Sequence, residues 1–382
     1  MRANQLQGVN NNSLYARTFR VSLLAALIFG SFAYPHYAGA QEKGMNNPST
    51  VSQASLPRVL ILTTGGTIAG AATGRNEGAY TSGVITPQQL VDSVKGIGDL
   101  ARISTEQVSN IGSQDMNDVI WFKLAKRIKQ AFDHKEADAV VITHGTDTME
   151  ETAFFLNQVL ASDKPVVLVG SMRPSTALGA DGPANIYQAV KVATDKQSAG
   201  RGVLVAMNDT IESARDVTKT DTTSLQTMQS PHIGTVGYVD MGHVRFIQRP
   251  VELSKPLSLP QDGNLPRVEI IYGHSNMDTN QIEHAIADKA KGIVLAGLGD
   301  GNASKEALVA LEKAAAKGIV VVRSTRVAHG YVNRDVEIDD QKSGFVASMD
   351  LSPQKSRILV QLLVANSITD PAQVQQAFSS IK

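Results

Sequence analysis

The sequence predicts an α/β protein made of two doubly wound domains, a larger N-terminal one with a mainly parallel sheet and a smaller C-terminal one. Three observations predict it. Short, continuously apolar runs recur along the chain, amphipathic helix-forming stretches lie between them, and a proline-rich segment divides the runs into two sets.

The first set is Val59-Leu60-Ile61-Leu62, Ala139-Val140-Val141-Ile142, Val166-Val167-Leu168-Val169 and Val203-Leu204-Val205. The second is Val268-Glu269-Ile270-Ile271-Tyr272, Ile293-Val294-Leu295-Ala296 and Ile319-Val320-Val321-Val322. Runs that are apolar throughout, instead of alternating, suit strands buried on both faces, as in a parallel sheet covered by helices. The helical half of the pattern is clear from Asp118 to Phe132, where Trp121, Leu124, Ile128 and Ala131 fall at spacings of three and four with polar residues between them. Asn117 or Asp118 can cap it. Ser304 to Lys317, rich in Ala, Leu, Glu and Lys, is a second strong helix former that leads through Gly318 into the next strand.

The segment from Arg249 to Gly263 contains Pro250, Pro256 and Pro260 and no buried-strand run. It reads as a linker. Domains over 57–249 and 265–382 are therefore expected, joined by 250–264, and a length of 382 residues suits two such units. The first forty residues stand apart: Arg2, Arg17 and Arg20, no acid, the apolar run Val21 to Tyr34, then Ala38-Gly39-Ala40. A charged start, an apolar stretch shorter than the roughly 20 residues of a membrane span and a small-residue site describe a signal peptide over 1–40. The polar stretch 41–56 reads as a flexible lead-in, and the mature protein as periplasmic or secreted with no stable membrane anchor.

The 36 basic residues equal the 36 acidic ones, and loss of the leader arginines leaves a slight acidic excess. Without a basic block, a nucleic-acid partner held through phosphate neutralisation is excluded. The absence of cysteine excludes thiol catalysis and a disulfide framework.

Ligands of doubly wound sheets bind beyond the carboxyl ends of strands, so the residues after each strand are where chemistry is expected. After the first run comes Thr63-Thr64-Gly65-Gly66-Thr67-Ile68-Ala69-Gly70, and after the second Thr143-His144-Gly145-Thr146-Asp147-Thr148-Met149-Glu150-Glu151. Paired glycines let backbone approach a substrate and leave N–H groups free to face a developing negative charge. A lone Gly-Gly-Thr is more often just a tight turn. Neither a dinucleotide fingerprint nor a phosphate loop is present, which argues against nucleotide binding.

Asp147 is equally readable as a functional carboxylate and as the cap of the helix that follows. His144 lacks a nucleophile partner or a spaced second metal ligand and is expected to pack or to hold its loop. A threonine nucleophile needs a base. Two candidates serve: the set Thr146, Asp147 and Lys219, and Tyr80 in the glycine-rich Gly78-Ala79-Tyr80-Thr81-Ser82-Gly83, which reads as a mobile lid.

Several ordered segments together carry a resemblance: Thr64-Gly65-Gly66-Thr67-Ile68-Ala69-Gly70, Ile111-Gly112-Ser113-Gln114-Asp115-Met116-Asn117, His144 to Thr152, Met172-Arg173-Pro174-Ser175, Ala180-Asp181-Gly182-Pro183, Asn208-Asp209-Thr210 and Asp216-Val217-Thr218-Lys219-Thr220. From about Pro57 onward the chain resembles the bacterial type II L-asparaginases, including the glutaminase-asparaginases. The resemblance implies hydrolysis of L-asparagine to L-aspartate and ammonia, with some L-glutaminase activity, no metal and no organic cofactor. It implies Thr67 as nucleophile, Tyr80 as its loop-borne partner, and Thr146, Asp147 and Lys219 as the second catalytic group. Ser113 and Gln114 would bind the substrate α-carboxylate and Asp147 its ammonium. It further implies a homotetramer in which Asn276 and Glu337 complete a neighbour's site. Ser171 stands where some relatives carry Ala. Two alternatives stay open: a glutaminase-preferring enzyme, because one methylene is worth only about 1–3 kcal/mol in a pocket, and a periplasmic amino-acid-binding protein, which would share the leader and the two-domain form.

Overall fold

The computed structural model describes residues 55–72, 80, 81 and 83–381, with Ala72 and Tyr80 described through their backbone only. The expected leader over 1–40 and almost all of the lead-in lie outside these residues. Among the described residues no helix is long and apolar enough to cross a membrane.

The larger sheet has eight strands: β1 (Arg58–Gly65), β2 (Arg102–Ile111), β3 (Ala139–Thr143), β4 (Val166–Val169), β5 (Val203–Met207), β6 (Thr210–Ser213), β7 (Gly237–Asp240) and β8 (His243–Phe246). Their spatial order is β8-β7-β6-β5-β4-β3-β1-β2. From β2 to β5 neighbours are parallel, and from β5 to β8 antiparallel. A second, wholly parallel sheet runs β9 (Val268–Tyr272), β10 (Gly292–Gly297), β11 (Val320–Thr325) and β12 (Phe345–Ala347) in sequential order. The α/β class, with a mainly parallel large sheet and a smaller second one, is as the sequence predicts.

The helices are α1 (Pro87–Asp92), α2 (Asp118–Asp133), α3 (Met149–Val159), α4 (Gly182–Thr194), α5 (Asn280–Ala287), α6 (Lys305–Ala316), the single turn α7 (Asp340–Ser343), α8 (Pro353–Ala365) and α9 (Pro371–Ser380). Alternation along the strands sorts side chains between layers. In β1, Val59 and Ile61 pack with α1 and α4, whereas Leu60 and Leu62 pack with α2 and α3. That second core is continuous with α8, α9 and one face of the smaller sheet through Val294, Val322 and Val346, while α5 and α6 cover its other face. A one-residue slip of β1 would exchange these two sets, and each fully buried Val, Leu or Ile side chain is worth about 1.5–3 kcal/mol.

Local signals fix the helix ends. Asn117, not Asp118, caps α2, its side chain accepting from the Ile120 N–H at 3.3 Å. Ser304 caps α6, and Gly318 past its end has φ 80°. Asn208 and Asp209 have φ of 52° and 66° and form the two-residue turn between β5 and β6, the backbone form that tight hairpins need. Residues 247–267 contain no helix or strand, but Leu257 N–H bonds the Gln158 carbonyl at 2.8 Å, which lays this segment along α3.

Candidate active site

The parallel strands β1 and β3 bring their carboxyl ends side by side, Thr63 pairing with Thr143. Gly65, the last residue of β1, and Gly66 just past it have φ of 104° and 78°, in the region that side-chain-bearing residues avoid. Space demands glycine as well: a β-carbon on Gly66 would lie 2.4 Å from the Gly145 nitrogen, and one on Gly65 2.3 Å from the Ile111 oxygen. The loop after β1 is thereby pressed onto both the loop after β3 and the end of β2. Gly66 N–H donates to the Ile111 carbonyl at 2.8 Å, and the buried Thr64 hydroxyl donates to the Thr143 carbonyl at 3.0 Å. Thr64 serves the turn. Thr67, which opens the short helical turn Thr67–Ala69, is partly exposed and lines a cavity.

Ser113 enters from the turn after β2. Its hydroxyl oxygen accepts from the Asp147 N–H at 3.2 Å, and the Thr148 hydroxyl donates to the Ser113 carbonyl at 2.7 Å. The cap position of α3 is held by Thr148, whose side chain makes no capping bond. Asp147 is therefore not the cap: its Oδ1 receives Lys219 Nζ at 2.6 Å, and the same ammonium donates to Thr146 Oγ1 at 2.9 Å. The Thr146 hydroxyl in turn donates to the Met172 sulfur at 3.4 Å. Lys219 sits on the two-residue strand Thr218–Lys219, which pairs with Met228–Gln229.

His144 lies fully buried behind this loop. Trp121 Nε1 donates to Thr152 Oγ1 at 2.8 Å, which leaves the Thr152 proton for His144 Nε2 at 2.8 Å, while His144 Nδ1–H donates to the Gly145 carbonyl at 2.6 Å. Burial pushes the imidazole down to about 4, so it is neutral near pH 7, against the opposing pull of the Gly145 carbonyl. It holds the loop that Gly66 abuts.

Thr67, Ser113, Gln114, Thr146, Asp147 and Lys219 line one polar cavity of about 220 Å³, together with Gly66, Gly112, Ser171, Met172 and Thr222. Asp181 braces one wall, accepting from the Met172 and Arg173 N–H groups at 3.0 and 2.9 Å. The buried Ser171 hydroxyl donates to the Arg173 carbonyl at 2.9 Å.

Residues 58–252 match the family model for the N-terminal domain of asparaginase, and residues 267–378 that for the glutaminase/asparaginase C-terminal domain. The chain belongs to the asparaginase family. This family is one of hydrolases, and the chain is an enzyme of it. It is 48% identical over 86% of its length, and 95% of the relative's, to a Haemophilus influenzae protein named "Probable L-asparaginase periplasmic". Against "L-asparaginase 2" of Escherichia coli it is 44% identical over 94% of this chain and 99% of that protein. A "Glutaminase-asparaginase" of Pseudomonas fluorescens is 38% identical over 95% of this chain and 98% of its own length.

The remaining expected site residues of this asparaginase-family chain lie elsewhere. Asn276, with φ 59°, and Glu337 are exposed on the C-terminal lobe and do not line the cavity. Glu337 accepts a hydrogen bond from Asn302, and its loop is tethered by the buried bidentate pair Arg323 to Asp340, at 2.6 and 2.7 Å. Tyr80 pairs with Ala72 through the backbone, and the role assigned to its hydroxyl lies outside the described side chains. Met172 and Thr222, which line the cavity, and Glu150, which braces Lys219, have no role expected from the sequence. Met172 stands three residues past the buried strand β4 and within one of the segments that carry the resemblance, and both point to it. Glu150 Oε2 accepts the Lys219 backbone N–H at 2.7 Å, a contact that no local pattern announces.

Proposed function

We propose that this enzyme hydrolyses the side-chain amide of L-asparagine to L-aspartate and ammonia, and that L-glutamine is a second, slower substrate. The observation that carries the reading is the Lys219 ammonium bonded to both Thr146 and Asp147 at the wall of the cavity that Thr67 lines. In this reading Lys219 acts in its uncharged amine form: Thr67 Oγ attacks the amide carbon, its proton passes by way of Thr146 to Lys219 Nζ, and the same group returns that proton to the leaving nitrogen. The C–N bond then breaks, the leaving nitrogen takes a proton, and ammonia departs. Water attacks the resulting ester carbonyl, the Thr67 oxygen is released and reprotonated, and aspartate leaves. The Gly66 N–H is taken by the Ile111 carbonyl, so backbone N–H groups near the glycine turns other than that one are proposed to face the oxyanion. Tyr80 is proposed as the partner of Thr67.

Substrate orientation follows the charge pattern. Ser113 accepts from the Asp147 N–H, so its own proton is available to an α-carboxylate, with Gln114 beside it. The Asp147 side chain is 56% exposed and open to an ammonium. Asn276 and Glu337, exposed and away from this chain's own cavity, are proposed to complete a neighbour's site in a homotetramer. The two lobes are proposed as domains over 57–249 and 265–382 joined by 250–264. The leader pattern, together with a relative named periplasmic, supports export.

The test is ammonia release from asparagine and glutamine by the purified enzyme and by Thr67→Ala. The variant is expected to lose about 10,000-fold in kcat with an unchanged melting temperature. Near-normal turnover in it would remove Thr67 from the mechanism, and no ammonia from either amino acid with the unaltered enzyme would overturn the substrate assignment. The ratio of kcat/KM for the two amino acids decides between asparaginase and glutaminase preference.

A further inference from the structure

Lys219 reaches the cavity from a strand of two residues with one two-residue partner, far too short to hold its own position. What fixes it comes from two helices. Glu150, on the first turn of α3, accepts the Lys219 N–H at 2.7 Å through Oε2, and its Oε1 receives the side-chain amide of Gln354 on α8. The next residue of α8, Lys355, donates from Nζ to the carbonyls of Arg215 and Val217 at 3.0 and 2.5 Å. Just ahead of α8, Asp350 takes both guanidinium nitrogens of Arg215 at 2.7 Å. Side chains thus fill the hydrogen-bonding places that a neighbouring strand would occupy along 215–219.

We propose that Glu150, Gln354 and Lys355 are positioning residues for Lys219, through which the C-terminal lobe of the same chain holds the proton-transfer group in register with Thr67. The geometry is closed. One helix, α3, receives Lys219 at both ends: Glu150 takes its backbone N–H, while Thr146 and Asp147, just before that helix begins, take its Nζ. Rotation or translation of the short strand breaks one set or the other.

The chemistry of the latch also argues for a role beyond packing. Glu150 and Lys355 are 5% and 2% exposed, and buried charges are costly enough that apolar side chains of similar size often stabilise as well or better. Burial pushes the Lys355 ammonium down to about 8 even with Glu150, Asp216 and Asp350 nearby. What apolar residues cannot supply is an acceptor for one backbone N–H and donors for two carbonyls.

This inference rests on the reading of Lys219 as part of the proton-transfer group, so Lys219→Met is measured alongside the latch variants. In Glu150→Ala, assayed well below its melting temperature, kcat for asparagine is expected to fall about 10–100-fold, since a misplacement on the order of 1 Å can cost that much. KM is expected to change less than about 3-fold, because Ser113 and Gln114 are untouched. Glu150→Gln retains an oxygen for the Lys219 N–H, and a flipped Gln354 amide can accept from its new NH₂ group, so kcat is expected to recover to within about 3-fold of the parent. Gln354→Ala, at a partly exposed position, is the milder probe, expected to lower kcat about 3–10-fold, and it keeps the question open to measurement should Lys355→Met fail to fold. An inactive Lys219→Met beside a Glu150→Ala enzyme of normal kcat overturns the latch alone. So does a Glu150→Gln enzyme as slow as Glu150→Ala. A fully active Lys219→Met overturns both the latch and the reading beneath it.

Discussion

Thr67 and Lys219 line the same cavity but are held there by opposite means. The Thr67 turn is set within its own sheet: two glycines have positive φ, and a backbone bond from Gly66 to Ile111 and a side-chain bond from Thr64 to Thr143 tie the turn to the ends of the two strands that flank β1. The Lys219 strand borrows its rigidity from Glu150, 69 residues away, and from Lys355, 138 residues from its Val217 acceptor. Geometry built between paired strands of one sheet moves with that sheet, whereas geometry held by side chains from other layers is only as firm as the elements that lend it. A nucleophile held by the strands of its own sheet and a proton-transfer group held from a second lobe is a division that experiment can break.

The largest effect is expected from Lys219→Met. Loss of a general acid–base group typically costs on the order of 10²–10⁴-fold in kcat, here with little change in KM and no loss of fold, since among the described residues the lysine head is bonded to Thr146 and Asp147 at the cavity wall. Stopped or steady-state ammonia assays report it, and a loss confined to KM would recast Lys219 as a substrate ligand.

Gly66→Ala probes the other side of the comparison. The new methyl meets Gly145 backbone at 2.4 Å in a left-handed conformation, so both steric strain and φ strain oppose it. A destabilisation of about 3 kcal/mol and a kcat loss of about 100-fold are expected. Urea unfolding and turnover measured together check this, and a variant that loses stability but keeps kcat would show that the loop contact does not align Thr67.

The smallest effect is expected from His144, and it depends on pH. Because the folded state holds the imidazole at about 4 against an ordinary 6.5, the unfolded chain binds a proton that the folded chain refuses between those values. Stability from this residue is therefore fully present above about pH 6.5 and is lost as pH falls toward 4, by about 3 kcal/mol. The stability difference between the parent and His144→Asn should shrink by that amount between pH 7 and pH 4. A difference independent of pH would mean that the imidazole already accepts a proton in the fold.

The sequence disclosed the buried parallel strands because burial on both faces leaves an unbroken apolar run, as in Val140 to Ile142 and Val166 to Val169. It did not disclose β2, whose Arg-Ile-Ser-Thr-Glu-Gln-Val-Ser-Asn-Ile lies at the edge of the large sheet with no residue fully buried. Edge strands need only half a face of apolar residues, and their pairing is decided by the neighbour. β6 to β8 escaped for the same reason of brevity and polarity, although Asn208-Asp209 is a recognisable hairpin turn.

By itself, then, the sequence determined the α/β class, the doubly wound order of strand and helix, the glycine turns beside Thr67 and the family resemblance, all of which are written in short contiguous segments. Only the tertiary structure decided that Asp147 is an ion-pair partner and not a cap, that Met172 accepts from Thr146, and that Glu150 and α8 hold Lys219. These are bonds between residues tens to more than a hundred positions apart, and no local periodicity encodes which distant acceptor a buried N–H will find.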